Sequence, residues 1–438
     1  MDYNQYDKTI DSRLKWIGEI PSHWKLSKFK HNFTFSKSTN TSKNPTILSL
    51  TLQGIKIRDI STNEGQIASS YDNYTKVYKK DIVLNPMDLI SGFVDCSPVE
   101  GVISPAYYTL KPNPDIDPEY YKYYLQKHYY ERIFFPFAEG VSVDHRWTLK
   151  KEDFLNFGLI KPPLEEQQKI ANYLDKKTVK IDETIIKNQQ LIELLEEKRI
   201  ALINHVVTKG LNPDVPMKDS RIEWLGEIPE NWNMRKFGHL IKLITKGATP
   251  TSYGFDFLDE GINFIKIESI AKNGEFIPSK FNYISQECNN FLSRSKMKEG
   301  DLLFSIAGAL GRVAIVNSSI LPANTNQALS IIRINNDFLL TEYAFHTLKA
   351  DYILHQIDDN MVQSAQANLS MESIREFKIL IPPINEQKKL VKYLNNETRK
   401  LMKLIAKVKQ NIDLLEEYKI SLIHHVVTGK IDVRGEII

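Results

Sequence analysis

The residues that could do chemistry in this chain fall into a few short patterns. Glu196-Glu-Lys198 has the Glu-x-Lys form of many nucleases, and Asn85-Pro-Met-Asp88 opens like an Asn-Pro-Pro-aromatic methyl-transfer motif. His205, His424 and His425 offer imidazoles to a metal. Each pattern lacks what its chemistry requires. Glu196 lies inside a long helical pattern with no Asp positioned beside it, so it reads as surface. Met87 and Asp88 stand where a second proline and an aromatic ring are needed, and no glycine-rich methyl-donor loop precedes them. That leaves a structural turn. No carboxylate sits at ligand spacing from the histidines, which instead suit the negative end of a helix dipole. No G-x-x-x-x-G-K-S/T loop is present to cradle ATP phosphates. The chain reads as non-catalytic, with no metal site and no cofactor of its own.

The elements that would position any function are written twice. Asp11 to His31 recurs as Asp219 to His239, with 12 of 21 positions identical at an offset of 208. Pro162 to Thr208 recurs as Pro382 to Thr428, with 24 of 47 identical at an offset of 220. Both copies of the second block keep Glu-Gln, Leu-Leu-Glu-Glu and His-Val-Val-Thr (166–167, 194–197 and 205–208 in the first). Lys80-Asp-Ile-Val-Leu84 already aligns with Gly300-Asp-Leu-Leu-Phe304 at the larger offset, so the 12 extra residues of copy two lie between His239 and Gly300. A fixed period of this kind is the mark of a repeated architecture. A common scaffold carrying two different readers would look this way, and so would simple divergence.

The shared blocks are long helices. Neither 167–207 nor 387–427 contains Gly or Pro. Ile170, Leu174, Ile181, Ile185, Ile192, Leu195, Leu202 and Val206 recur at spacings of three, four and seven, and so do Leu390, Leu394, Leu401, Ile405, Ile412, Leu415, Leu422 and Val426. Those spacings form a coiled-coil seam. A helix of about 40 residues is roughly 60 Å long, and two such stripes in one chain most simply bury each other. Under a pseudo-twofold axis they run antiparallel; the alternative is a seam between two chains. Pro162-Pro163 and Pro382-Pro383 separate each helix from what precedes it, and Gly210 and Gly429 end them.

The segments 25–160 and 233–380 mix short β-branched runs with helical ones. Strands are expected at 81–84, 102–103, 302–306, 312–316 and 329–332, and helices at 117–135 and 340–357. The tyrosines 120, 121, 123, 124, 129 and 130 fall at helical spacing and read as core rather than as a base-stacking platform. The fold class is mixed α/β: two globular domains joined by two long antiparallel helices, with an internal pseudo-twofold repeat.

Composition is ordinary for a globular chain of 438 residues, at 42% hydrophobic and 25% charged. No apolar run approaches the roughly 20 residues of a bilayer crossing, and the opening residues hold no apolar signal core, so a cytoplasmic location is expected. Two cysteines, Cys96 and Cys288, supply no CxxC pair. The 57 basic and 54 acidic residues give a net charge of only +3, small for a protein that holds DNA by blanket phosphate neutralisation.

Several of these blocks are similar to a known family. Pro162-Pro-Leu-Glu-Glu-Gln-Gln-Lys-Ile-Ala-Asn-Tyr-Leu-Asp175 resembles the start of the conserved region in the specificity subunits of type I restriction–modification enzymes. So do 300–311, 368–374 and 381–387, and the likeness covers essentially the whole chain. Copy one departs at Val141-Ser-Val-Asp-His145, where copy two has the more typical 363–369.

The resemblance implies two target-recognition domains, each reading one half of an asymmetric, bipartite site in double-stranded DNA. Their boundaries would be 1–160 and 211–380, with helical spacers at 161–210 and 381–438. The spacers would fix the half-site distance and dock two methyltransferase subunits, with restriction/translocase subunits as further partners. S-adenosylmethionine, ATP and Mg would then belong to those partners. The alternative within the same class is a partner that fuses methylation and cleavage, and a more distant one is a coiled-coil scaffold that binds protein.

Major-groove edges are read by neutral polar side chains as well as cations, which makes a small net charge acceptable. The richest polar loops are Lys37, Ser38, Thr39, Asn40, Ser42 and Lys43 in copy one, and Lys246, Thr249, Thr251, Ser252 and Tyr253 in copy two. Asn324, Asn326, Gln327, Gln363, Ser364 and Gln366 are further candidates. Against each stands the plain reading of a Ser/Thr/Asn turn.

Overall fold

The computed structural model describes residues 4–59, 70–90, 93–140, 147–222, 224–364 and 368–436. They form two units: 1–189 with 409–438, and 190–408. The division cuts both long helices in the middle.

Those helices run Leu164–Lys209 and Ile384–Val427, of 46 and 44 residues. Each follows the proline pair that the sequence marks as a hinge, and the first ends at Gly210. In the first unit Ile170, Leu174, Ile181 and Ile185 share a core with Leu422, Ile423, Val426 and Val427. In the second, Ile203, Val206 and Val207 share one with Leu390 and Leu394. The start of each helix thus packs beside the end of the other, which makes the pair antiparallel and closes the seam within one chain. No residue of the expected stripes is exposed. Lys419 adds an ion pair to Asp182 across the seam of the first unit at 2.7 Å.

The repeat is also visible in the sheets. The first unit has a four-stranded antiparallel sheet in the order 33–35, 108–112, 82–84, 94–96; the second has 241–246, 329–334, 302–305, 313–315. The strands expected from the sequence fall in these sheets, apart from 102–103, which pairs with 75–77. Strand 25–28 pairs with 158–161, and 233–236 with 378–381, so both ends of each domain meet just before its helix. The copies part company beyond that frame. The first unit carries a hairpin of 48–51 and 54–57. The second carries a sheet in which 262–265 pairs with 282–284 and, in parallel, with 323–325. The 12 additional residues fall in this region.

The helix expected at 117–135 is Pro118–Tyr130, capped by the Asp117 side chain on the Tyr120 amide. Its tyrosines are core as expected, except Tyr130, which is exposed. The single helix expected at 340–357 is two, Thr341–Thr347 and Asp351–Ser364. Tyr343, Ala344, Leu348, Ile353 and Ile357 are buried on both sides of the break, so the apolar period survives while the backbone turns.

Corresponding turns lead into corresponding strands. Lys80 and Gly300 donate their amides to Ser97 and Val316 at 2.8 Å, and both sit at positive φ, 72° and 82°. Left-handed backbone costs a side-chain-bearing residue roughly 1–2 kcal/mol, partly offset by the entropy a glycine loses. Lys80→Gly is therefore expected to stabilise the first unit by roughly 0.5–1 kcal/mol. Urea unfolding of the variant checks this, and an unchanged midpoint would mean that the turn is not strained.

Candidate nucleic-acid interface

The Glu-Gln dipeptide that opens each long helix explains its own recurrence. Glu166 accepts from Trp24 Nε1 at 2.5 Å, lies 2.9 Å from His23 Nε2, and pairs with Arg434 at 3.4 Å. Glu386 accepts from Trp232 Nε1 at 3.1 Å and from Asn231 Nδ2 at 3.4 Å. Gln167 accepts the Asp117 amide and donates to Pro162 O, and Gln387 accepts the Leu340 amide and donates to Pro382 O. Each pair thus ties its helix to the repeated Trp segment and to the helix of the preceding domain. The other helix is tied by its end: Tyr120 donates to Val427 O at 2.8 Å, and Tyr343 to Val207 O at 3.5 Å. These contacts tie each domain to both long helices.

In the first unit, the 37–43 loop leaves the edge strand 33–35 and runs beside 74–76. Asn40 donates its amide to Tyr74 O, and Ser38 O accepts the Lys76 amide, both at 2.8 Å. Asn40 and Ser42 spend their side chains on the loop itself: Asn40 Oδ1 accepts the Ser42 amide, and Ser42 Oγ accepts the Asn44 amide. Lys37, Ser38, Thr39 and Lys43 are exposed.

In the second unit, two of the candidate segments come together. Thr249 Oγ1 donates to Gln327 Oε1 at 2.6 Å. Gly247 makes this possible, because a Cβ there would sit 1.7 Å from Thr325 O. Thr251, Ser252, Tyr253 and Gln327 are exposed, and Lys246 is half-buried. Asn326 is half-buried and turns back to accept the Ala328 amide.

Asn324 is a correction. Its side chain is fully buried, donates to Asn289 Oδ1 and Leu292 O, and accepts from Ser295 Oγ. A buried amide with its partners satisfied inside has nothing left for a base edge. The side chains of Gln363 and Ser364, and Gln366 as a whole, lie outside the described residues.

Sequence reading found Tyr253 and Lys246 but missed Phe291, Arg294 and Lys296 beside them. Tyr253 (54% exposed) packs against Phe291 (57% exposed), with ring centroids 5.2 Å apart and the planes tilted by 56°. Arg294 donates to Lys246 O at 3.4 Å, and Lys296 to Asn290 Oδ1 at 2.7 Å. Residues 286–296 carry no motif, and only tertiary packing brings them beside 246–253.

The patterns set aside as non-catalytic are structural. Asn85 Oδ1 accepts the Met87 amide in a turn, and Glu196 pairs with Arg199 at 2.7 Å. His424 hydrogen-bonds Glu131, which His424 and Lys127 hold at about 2 against the opposing effect of burial. Among the described residues no group of three or more His, Cys, Asp or Glu is placed to hold a metal, and no helix is long and apolar enough to cross a membrane.

The sequence model for the type I restriction modification DNA specificity domain matches residues 22–197 and 229–414. The chain belongs to that family. It is therefore the specificity component of a type I restriction–modification system, and not the catalytic one. The specificity subunit of the type I restriction enzyme MjaVIII from Methanocaldococcus jannaschii is 23% identical over 372 residues, 83% of each chain. The EcoBI specificity subunit of Escherichia coli is 26% identical over 265 residues, 58% of this chain and 54% of that one. Among solved structures, a chain from a study of type I R-M complex assembly and conformational transition superposes with a TM-score of 0.70 at 15% identity, covering 95% of this chain and 99% of that one. The HsdS subunit of Thermoanaerobacter tengcongensis gives 0.52 at 15% identity, over 94% and 98%. Both share the fold. Each domain match of the family model takes in one recognition domain and most of the helix that follows it.

Proposed function

We propose that each unit reads one half of an asymmetric bipartite DNA site through the major groove. Residues 1–160 and 211–380 are the reader domains, and 161–210 and 381–438 are the spacers that set the half-site distance. The observation that carries this reading is in the second unit: two separate polar segments, joined by Thr249 and Gln327, stand beside exposed Tyr253 and Phe291. The equivalent sheet of the first unit carries a different loop, with exposed Lys37, Ser38, Thr39 and Lys43. One scaffold with two unlike surfaces favours two unlike half-sites.

Neutral donors and acceptors distinguish base pairs, and a few cations position the duplex. That division suits a net charge of +3. Two methyltransferase subunits dock on the helices and bring S-adenosylmethionine; restriction/translocase subunits bring ATP and Mg chemistry.

Methylation mapping in cells that express the chain with its methyltransferase partner tests the reading. The expected motif is bipartite and asymmetric, and Gln327→Ala with Tyr253→Ala relaxes one half alone. A good bidentate base contact is worth about 1–3 kcal/mol of discrimination, so that relaxation is expected to be about 5- to 150-fold. A contiguous or symmetric motif would falsify the two-reader assignment.

A further inference from the structure

The second unit contains a basic cavity lined by none of the residues proposed to read bases. It has a volume of about 330 Å³ and lies between both long helices, helix 341–347 with the turn after it, and the 271–275 loop. Three cations converge there: Arg199, Lys349 and Arg399. The Lys349 ammonium donates to Asn273 O at 2.6 Å and lies 4.3 Å from the centre of the Phe345 ring. Arg199 gives one nitrogen to Glu196 at 2.7 Å, but its Nε–H is buried without a partner. Arg399 lines the cavity, is exposed, and makes no hydrogen bond or ion pair among the described residues. Among the described residues Glu275 is the one carboxylate lining the cavity, and it is exposed.

His346 adds a second unmet group. It is 3% exposed; its Nε2 bonds Asn395 Oδ1 at 2.8 Å, while Nδ1 is buried with no partner. Buried donors and acceptors without partners are costly and uncommon. Both belong to residues that line one cavity with three basic side chains.

The first unit provides an internal control. Its helix position equivalent to Arg199 is Lys419, which Asp182 neutralises, and Val179 stands in place of Arg399. The contact of His346 with Asn395 is matched by Tyr123 with Asp175 at 2.6 Å, which aligns Lys349 with Gln126. The three-cation lining of Arg199, Lys349 and Arg399 is therefore built into one copy alone.

We propose that this cavity of the second unit binds a phosphate group, through Arg199, Lys349 and Arg399. The planar Arg199 fork and the exposed Arg399 suit tetrahedral oxyanions. The arrangement also predicts a proton signature. Burial, together with the nearby Arg199, pushes the Lys349 ammonium down to about 7, with Glu196 and Glu275 acting in the opposite sense. Arg399 and the neutral His346, itself pushed down to about 4 by burial, complete the groups facing it. A bound dianion favours the charged amine, so at pH 8 binding draws a proton from solvent.

Sulfate is the right first probe, because it has the geometry of phosphate and exchanges no proton near neutrality. Calorimetric titration of the full chain at pH 8, in two buffers of different ionisation heat, is expected to show one saturable site with net proton uptake. Lys349→Met is expected to abolish the uptake. Arg399→Gln, on an exposed helix face, is expected to weaken binding at least fivefold with an unchanged melting temperature. Competition then names the source. Displacement of sulfate by inorganic phosphate alone points to a small phosphate compound, and displacement also by a short non-specific duplex points to the DNA backbone. The proposal is overturned if sulfate does not saturate, if neither competitor displaces it, or if both variants bind like the parent.

Discussion

Trp232→Ala is expected to destabilise the second unit by about 3–5 kcal/mol. The indole is fully buried in the core formed by Val206, Val207, Leu390 and Leu394, and its Nε1 donates to Glu386. Truncation removes the packing that fixes the sheet to both helices and also leaves that carboxylate short of a donor. Trp232→Phe keeps most of the apolar volume and loses the hydrogen bond, so about 1 kcal/mol is expected. Hydrogen exchange read by mass spectrometry separates the effects. Amides within 190–408 should lose protection in the alanine variant while 4–160 keep theirs. Equal loss in both regions would show that the two units do not unfold separately.

Arg333→Met is the second large effect, and the repeat supplies its control. Asp301 is buried and accepts from Arg333 Nε and Nη2, both at 2.8 Å, and from the Lys298 amide. Removing the cation strands a carboxylate in the core, which costs about 3–5 kcal/mol. The corresponding pair in the first unit is Asp81 and Lys111. There the carboxylate still caps a turn, accepting the Tyr78 amide at 2.9 Å, and burial raises its pKa. Lys111, however, lies over the Tyr78 ring at 4.4 Å and is not bonded to Asp81. Lys111→Met is therefore expected to cost less than about 1 kcal/mol. Chemical denaturation of both variants checks the contrast, and equal losses would refute the assignment of the Asp301–Arg333 pair as a buried bridge.

Much of the architecture could be read from the sequence because it rests on periodicity and repetition. The heptad positions from Ile170 to Val206 and from Leu390 to Val426 specify helices regardless of context. The recurring Glu-Gln at 166 and 386 signals a shared constraint, which proves to be the Trp hydrogen bond. The break between Thr347 and Asp351 left no such trace, because both short helices bury their apolar faces in the same core.

The interface was less legible for a related reason. Asn324-Thr-Asn-Gln327 reads as one polar turn, yet Asn324 and Thr325 point inward, Thr325 donating to Ile265 O at 2.7 Å, while Gln327 is exposed. Residue type does not tell a satisfied buried amide from a free one. Phe291 and Arg294 escaped notice because their role depends on neighbours 38 and 48 positions away.

The tail of the chain has a consequence for how the protein is made. Asp432 donates its amide to Asn4 O, Arg434 lies over the Tyr6 ring at 4.7 Å, and Val426 and Val427 belong to the first unit's core. The second unit, by contrast, is one continuous stretch, 190–408. As the chain leaves the ribosome at about 5–20 residues per second, the second unit has all its residues before the first does. The usual order of domain maturation is thereby reversed. The N-terminal unit cannot close its helix seam until residues 409–438 arrive, and until then its apolar stripe has no partner.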